Sequence, residues 1–161
     1  MATNVNVQGT SVYILDVPAT AWTDCDKAVT AILTSGKKAS CLQAMGDLSR
    51  SRDIVEYSCQ DNNNSSKAAG KISYGDFDLG LLLDTTDKTG QEALFNAMEA
   101  NTPIIIAFEA PNKAGSTGKS GDIIWTEAVI AGDKIGYPEN GKVTYDVTIS
   151  PYGGFTRCAK T

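Results

Sequence analysis

The sequence contains no histidine, the side chain that proteins use most often to move protons near neutral pH. Serine or cysteine nucleophiles activated by a histidine base are therefore excluded. Its four cysteines contain no CxxC pair, and without histidine partners they do not have the spacing of a zinc site. We expect no enzyme, no catalytic residue, no metal and no cofactor.

Long apolar runs are also missing, and nothing in the sequence approaches the roughly 18 apolar residues that a membrane-spanning helix needs. The first ten residues, Met1 to Thr10, are polar and do not have the layout of a secretion signal. We expect a protein without membrane association that is made in the cytoplasm. Cytoplasmic thiols stay reduced, so we expect four free and mostly buried cysteines. These are Cys25, Cys41, Cys59 and Cys158.

Positive charge is scarce, with 14 lysines and arginines against 19 acidic residues and a net charge of −5. Tight nucleic-acid binding through phosphate contacts is therefore not expected. An acidic wall could still serve a passing polyanion, because repulsion prevents sticking. The string GSTGKS, from Gly115 to Ser120, resembles a phosphate-binding loop, but Lys113 stands where that motif needs glycine. We interpret it as a plain loop.

The 161 residues, 42% of them hydrophobic, suit one domain covering residues 1–161, which begins with a flexible arm over residues 1–10. Period-two alternation and short apolar runs predict several strands. We expect a mobile loop from Asp61 to Gly70, a second loop from Pro111 to Gly121 and a tight turn at Asn140-Gly141. The predicted strands are Val12 to Val17, Ile54 to Cys59, Phe77 to Leu83, Ile104 to Phe108, Asp122 to Ile130 and a final strand from Val143 to Ile149.

Two helices are indicated by capping residues followed by apolar positions at helical spacing. Thr89 and Glu92 have the spacing of a capping box, and the helix after them closes at Asn101. A less regular helix extends from Thr23 to Leu33, with Asp24 as its cap. Strands with a flanking helix predict a mainly β, α+β protein: an antiparallel β-sandwich or split barrel.

Acidic pairs are the remaining candidates for site chemistry. Asp76 and Asp78 alternate with apolar residues, which indicates a solvated strand face rather than a cation site. Asp84 and Asp87 lie where a strand gives way to a helix, so turn formation and helix N-terminal charge explain them. Trp125 fits the core and a subunit contact equally well.

The stretch from Gly46 to Pro111 resembles the major tail tube proteins of long-tailed, lambda-like siphophages. In that family a strand with small and acidic residues leads into a GQ-x-x-L helix and then a strand ending in Phe and Pro. Here these features are Asp76 to Asp84, Gly90-Gln91 with Leu94, and Phe108 to Pro111. Trp125 to Ile130 and Val143 to Ile149 fall where the family has its last two strands, whereas Cys25 to Met45 does not match its pattern.

The resemblance implies hexameric rings that stack into a tube with a continuous β-barrel around its lumen. It further implies a virion protein, made in the bacterial host cytoplasm, that conducts phage DNA without binding it specifically. Its partners would be other copies of itself, the tape measure protein, and tail terminator and baseplate proteins. The Asp61 to Gly70 loop would contact a neighbouring ring. The expected lumenal residues are Asp76, Asp78 and Asp84 on one strand and Thr144, Asp146 and Thr148 on another.

The sequence also leaves other functions open. A tail terminator, a baseplate tube initiator and a type VI secretion tube subunit resemble the same fold. A monomeric ligand-binding β-sandwich or a small enzyme would be a different class, and would not polymerise.

Overall fold

A computed structural model describes residues 9–61, 64–111 and 121–159, and these ranges form ten strands and two helices. The helices are α1 Cys25–Ser35 and α2 Gly90–Ala100. The strands are β1 Ser11–Asp16, β2 Lys37–Lys38, β3 Leu42–Met45, β4 Arg50–Ser58, β5 Ser65–Tyr74, β6 Phe77–Leu82, β7 Ile104–Glu109, β8 Ile123–Gly136, β9 Thr144–Pro151 and β10 Thr156–Cys158.

Eight of the strands form one antiparallel sheet in the order β2-β1-β7-β8-β9-β6-β3, with β10 paired to β8. Strands β4 and β5 pair only with each other and form a separate two-stranded sheet. The expected mainly antiparallel β fold with a flanking helix is confirmed. Among the described strands the sheet ends at β2 and β3 and does not close into a barrel.

The long strand β8 connects two halves of the large sheet. Its first half, Ile123–Ala128, pairs with β7, and its second half, Ala128–Gly136, pairs with β9. The register shifts between Ile130 and Gly132, where a bulge bends a strand and increases its twist. The two halves therefore face each other across one core.

That main core is built from the alternating side of each strand and from α2. Its buried members are Val12, Ile14, Ala39, Phe77, Leu79, Leu81, Leu94, Ala97, Ile104, Ile106, Phe108, Ala128, Ile130, Tyr145, Val147 and Ile149.

Helix α1 packs on the opposite side of β1 and β7. Val29 and Ile32 of the helix bury against Leu15, Ile105 and Ala107. Strand β7 is consequently covered on both faces, and all six of its residues are buried. This explains why its sequence is a continuous apolar run instead of an alternating one.

Both predicted helices are confirmed. Asp24 caps α1 by accepting a hydrogen bond from the Lys27 backbone N–H at 2.8 Å. Asn101 ends α2 in the left-handed conformation, with φ of 53°. The predicted capping box is wrong in detail, because the Thr89 side chain caps no backbone N–H, and Asp87 accepts those hydrogen bonds instead.

The expectation of four reduced, mostly buried cysteines is wrong. Cys25, at the start of α1, forms a disulfide with Cys158 in β10, with the two Cα atoms 5.5 Å apart. Cys41 and Cys59 are free but exposed. The paired cysteines lie 133 residues apart in the chain, so only the packing of α1 beside the last strand reveals the pair.

The expected loop from Asp61 to Gly70 is mostly strand, because β5 begins at Ser65. Both faces of β5 are largely exposed, so its sequence has no apolar alternation from which a strand could be predicted. Residues 62 and 63 lie outside the described residues. The predicted mobility of the hairpin tip stays a prediction.

Two smaller expectations also change, and two others are not tested. Residues 137–143 connect β8 to β9 without a two-residue hairpin turn, although Gly141 has φ of 126°, a value that favours glycine. Val143 to Ile149 is not the final strand, since β10 follows it. Most of the expected N-terminal arm, residues 1–8, and most of the loop from Pro111 to Gly121, residues 112–120 with the GKS string, lie outside the described residues.

Candidate functional site

Strands β3, β6, β9 and the second half of β8 form a four-stranded part of the sheet with one face in the core and the other outside. Directly paired residues point to the same side of a sheet. Asp146 pairs with both Gly80 and Lys134, while Thr148 pairs with Asp78 and Gly132. We call this outer surface the polar sheet face; its residues are Ala44, Asp78, Gly80, Gly132, Lys134, Thr144, Asp146 and Thr148.

The polar sheet face is shallow and, apart from Leu82 beside Thr144 at its end, is made of small or polar side chains. Thr148 Oγ1 donates a hydrogen bond to Asp78 Oδ1 at 2.7 Å. A shallow hollow of about 520 Å³ lies over the middle of the face. A Cβ added at Gly132 would meet nothing within 4 Å, so packing inside the subunit does not require glycine there.

Four of the six expected lumenal residues come together on this face: Asp78, Thr144, Asp146 and Thr148. Asp76 is exposed but precedes β6, so it lies outside the alternation of that strand. Asp84 follows the strand and turns away into a different set of contacts. The sequence missed Lys134 and Gly132, because the bulge in β8 interrupts the alternation that would have placed them.

Asp84 and Asp87 organise the turn from β6 into α2, as expected. Asp84 Oδ1 accepts hydrogen bonds from the Thr86 hydroxyl at 2.6 Å and the Thr86 backbone N–H at 2.9 Å. These bonds, together with one from the Ser40 hydroxyl, lower the pKa of Asp84 below its usual value. Local hydrogen bonds therefore account for the Asp84 carboxylate.

Burial acts to raise the pKa of Asp87, but hydrogen bonds from the backbone N–H groups of Ser40, Thr89 and Gln91 outweigh it, and the pKa lies well below its usual range. The carboxylate also accepts from the Gly90 N–H at 2.9 Å. It thus satisfies donors at the start of α2 and joins the helix to Ser40. Within the described residues, no group of acidic or cysteine side chains could hold a metal ion.

Two edges of the four-stranded part have no strand partner among the described residues. One is the outer edge of β3, which ends the sheet. The other is the side of β8 beyond Ala128, where pairing with β7 stops. Edges of this kind are templates for pairing with another chain.

The β4–β5 pair projects from the rest of the fold, and we call it the projecting hairpin. Every residue of β4 is exposed, including Ile54 at 58% and Tyr57 at 55%. Val55 and Ile72 are also exposed apolar side chains on this hairpin. A hairpin that exposes this much apolar surface is typical of an interaction site.

Trp22 and Trp125 pack against each other within the subunit. The two indole rings pack edge to face, with centroids 4.9 Å apart, beside the core that α1 covers. Trp125 therefore belongs to the packing around that core in the subunit.

Neither helix of the described chain has the length and apolar character needed to cross a bilayer.

No protein-family model matches the chain, and no curated protein sequence matches it. Solved structures do. The SPP1 tail tube matches with a TM-score of 0.70 at 13% identity, over 97% of this chain and 80% of that one. The fold is that of a tail tube subunit. This confirms the fold that the motifs predicted.

Two further structures carry the tail tube fold. A chain of the six-fold symmetrised baseplate of the anti-feeding prophage has a TM-score of 0.68 at 10% identity, over 99% of this chain and 98% of that one. A chain from the sheath/tube terminator of the extracellular contractile injection system PVC has a TM-score of 0.68 at 15% identity, over 98% and 99% of the two chains.

Proposed function

We propose that this protein is a structural subunit of a phage tail tube, and that six copies form a ring in which the polar sheet faces line a central channel. The observation that carries the proposal is the four-stranded part of the sheet, which has two unpartnered edges and one small, polar face. Placing β3 of one copy beside the second half of β8 in the next removes both edges. Repeating that heterologous contact closes a ring.

The chemistry of the polar sheet face suits a channel for DNA. Asp78 and Asp146 supply negative charge, Lys134 supplies one cation, and the whole chain has a net charge of −5. A surface with more acidic than basic groups repels phosphates, so the passing duplex does not stick to the wall. Gly80 and Gly132 have no side chain that would protrude from this face into the channel.

The proposal includes the setting in which such a tube works. The subunit is made in the bacterial host cytoplasm and becomes part of the virion tail of a siphophage. Its partners are its own copies, a tape measure protein inside the growing tube, and terminator and baseplate proteins at the ends. The likeness to the SPP1 tail tube supports this setting.

A tube terminator or baseplate initiator is the second candidate, because chains from a terminator and a baseplate share the fold at similar TM-scores. A terminator or initiator forms a ring at one end of the tube and does not need to stack on further rings of its own kind along the tube axis. The test is therefore the length of the assembly: long tubes support a tail tube subunit, whereas isolated rings support an end component.

Sedimentation velocity and negative-stain electron microscopy of the purified chain test the proposal directly. We expect six-fold rings and tubes whose abundance increases with protein concentration. Protein that stays monomeric at high concentration overturns the proposal and favours a monomeric ligand-binding sandwich or small enzyme.

A further inference from the structure

The two open edges of the four-stranded part of the sheet differ in charge. The free edge of β8 runs from Val129 to Gly136, where the strand pairs with β9 and, among the described strands, with no other. Asp133 and Lys134 are neighbours in the regular part of this edge, beyond the bulge. Strand β3, the opposite edge, has the sequence LQAM and carries no charge. An approaching copy therefore meets charges at one edge and none at the other.

These two charges lie on opposite faces of the sheet. Asp133 pairs with Val147, which is fully buried in the main core, so Asp133 is on the core side. The hydroxyl of Tyr145, itself a buried residue, donates a hydrogen bond to Asp133 Oδ2 at 3.1 Å and holds the carboxylate there. Lys134 pairs with Asp146 and belongs to the polar sheet face. A charge on the core side of an open edge is one way in which proteins prevent unwanted edge pairing.

An open β8 edge could pair with the β8 edge of a second copy about a two-fold axis. Such pairing keeps each face of the sheet continuous only when residues of the same face lie opposite each other. Two symmetric registers fit the free edge, one centred on Asp133 and one centred on Lys134. The adjacent registers fit worse: centring on Ile135 leaves only residues 134–136 paired within the strand, and centring on Gly132 places Lys134 opposite the core residue Ile130.

Both of the fitting registers place like charges opposite each other, which destabilises strand pairing. The register centred on Asp133 sets its carboxylate opposite the same carboxylate of the second copy, on the core side. The register centred on Lys134 opposes two ammonium groups on the outer side. Asp146 lies one strand further from the second lysine than Lys134 does, so it offsets only part of that repulsion. Pairing with the uncharged β3 sets neither charge opposite its like.

We propose that Asp133 and Lys134 determine which edges join, because they exclude β8–β8 pairing and leave β3 of a second copy as the partner of the β8 edge. The inference rests on the proposed function, since the occupant of that edge is another copy of this chain. Two copies joined through β8 would present β3 at both ends of the assembly. Further copies added by β3–β8 contacts would again leave β3 at both ends, so such an assembly could not close into a ring.

Two double variants separate the charges from the rest of the edge. Asp133→Asn with Lys134→Gln, the neutral variant, removes both charges and keeps side chains of similar size that form hydrogen bonds. Asp133→Lys with Lys134→Asp, the exchanged variant, swaps the charges, so that each symmetric register again opposes like charges. Asp26→Asn with Lys27→Gln removes the same pair of charges from exposed positions of α1 and serves as the control.

We expect the neutral variant to form two-fold dimers and open arcs at the expense of closed rings. The yield of closed rings should fall by about twofold to fivefold, the factor by which one pair of directly opposed like charges weakens strand pairing. The exchanged variant and the α1 control should close rings as the unmodified chain does. Negative-stain electron microscopy counts rings and arcs, sedimentation velocity measures dimers, and circular dichroism checks folding. If the exchanged variant does not fold, the neutral variant and the control decide.

Closed rings from the neutral variant at the unmodified yield overturn the inference. A neutral variant that is folded but monomeric also overturns it, because the charges would then hold the ring contact together instead of excluding another contact. A folded exchanged variant that forms arcs like the neutral variant does so as well. In each of these outcomes the unmodified chain still forms rings. An unmodified chain that remains monomeric instead overturns the proposed function, and the inference with it.

Discussion

At the scale of single residues, Gln91 is the polar side chain on which the junction between sheet and helix depends. It is buried, and its amide donates to Leu82 O at 2.8 Å and Ser40 O at 3.0 Å. Its carbonyl oxygen accepts from the Asp84 backbone N–H at 3.0 Å. One amide therefore satisfies three backbone groups, one at Ser40 and two at the end of β6.

Replacing Gln91 with leucine removes those three hydrogen bonds and leaves three partly buried backbone groups without that partner. We expect the free energy of unfolding to fall by about 2–3 kcal/mol. Urea unfolding of the unassembled subunit measures the loss. Glu99→Leu, at an exposed position of the same helix, should change stability by no more than about 0.5 kcal/mol. An equally small effect at Gln91 would contradict this account of the junction.

Asp87 makes stability depend on acid pH. Its pKa is lowered in the folded chain, so the stability that it contributes is complete above the unfolded value of about 4 and is lost as pH falls below it. We expect Asp87→Asn to cost about 1 kcal/mol at pH 7, as loss of a helix cap does, and progressively less at lower pH.

Unfolding in urea at neutral pH and at acid pH below 4 measures that difference. Asp76→Asn, at an exposed position before β6, is the matched control and should follow the unmodified chain at each pH. A constant gap between Asp87→Asn and the unmodified chain across the pH range would show that the charge of Asp87 is not responsible.

At the scale of elements, a disulfide joins α1 to β10 beside the smaller core that α1 covers. Cys158 is buried beside Val29 and Ile32, and its disulfide to Cys25 ties the start of the helix to the last strand. Cross-linking positions 133 residues apart restricts the unfolded chain more than it restricts the folded one. The disulfide thus holds the short strand β10 in place in addition to its three residue pairs with β8.

A thiol titration of denatured, unreduced protein should find two reactive thiols, from Cys41 and Cys59, and four after reduction. Reduction should lower the free energy of unfolding by about 2–4 kcal/mol. Cys25→Ser should reproduce that loss, while Cys41→Ser, at an exposed free cysteine, should not. Four thiols before reduction would show that the pair is open in the protein as made.

At the scale of the whole molecule, the two faces of the sheet have different roles: one forms the core and the other is an exposed polar surface. One face of β6 and β9 is buried in the core, with Leu79 and Val147 fully enclosed, and the other presents Asp78 and Asp146. The outer face can therefore vary in charge with little effect on stability, because substitutions on exposed surfaces usually cost little. In the proposed ring, each lumenal charge is repeated by every copy.

Asp78→Lys combined with Asp146→Lys should leave rings and tubes intact but convert the channel wall into a cationic surface. Repeated phosphate contacts should then retain double-stranded DNA, and the retention should weaken steeply with added salt. Ejection of DNA from particles that carry the variant should be slower at low salt. Asp26→Lys with Glu99→Lys adds the same charge on exposed helix positions and should not slow ejection. Unchanged ejection with the double Asp78 and Asp146 variant would place this face outside the channel.

Much of the fold could be predicted from the sequence wherever a segment has one buried and one exposed side. The alternation in β6 and β9 indicated the polar face, and Asp24 and Asn101 marked helix ends through local hydrogen bonding and backbone conformation. Segments of this kind carry their structural signal within a few residues. The motifs around Gly90-Gln91 indicated the tail tube fold for the same reason.

The remaining features depended on contacts between distant segments. Strand β5 is exposed on both faces, so no apolar period marks it, and β3 and β10 are short strands defined only by the partners beside them. The disulfide and the exposure of the projecting hairpin are likewise properties of the packed chain. Local periodicity determined which segments have a core face, and only tertiary packing decided which edges and surfaces remain open, because those depend on where the rest of the chain lies.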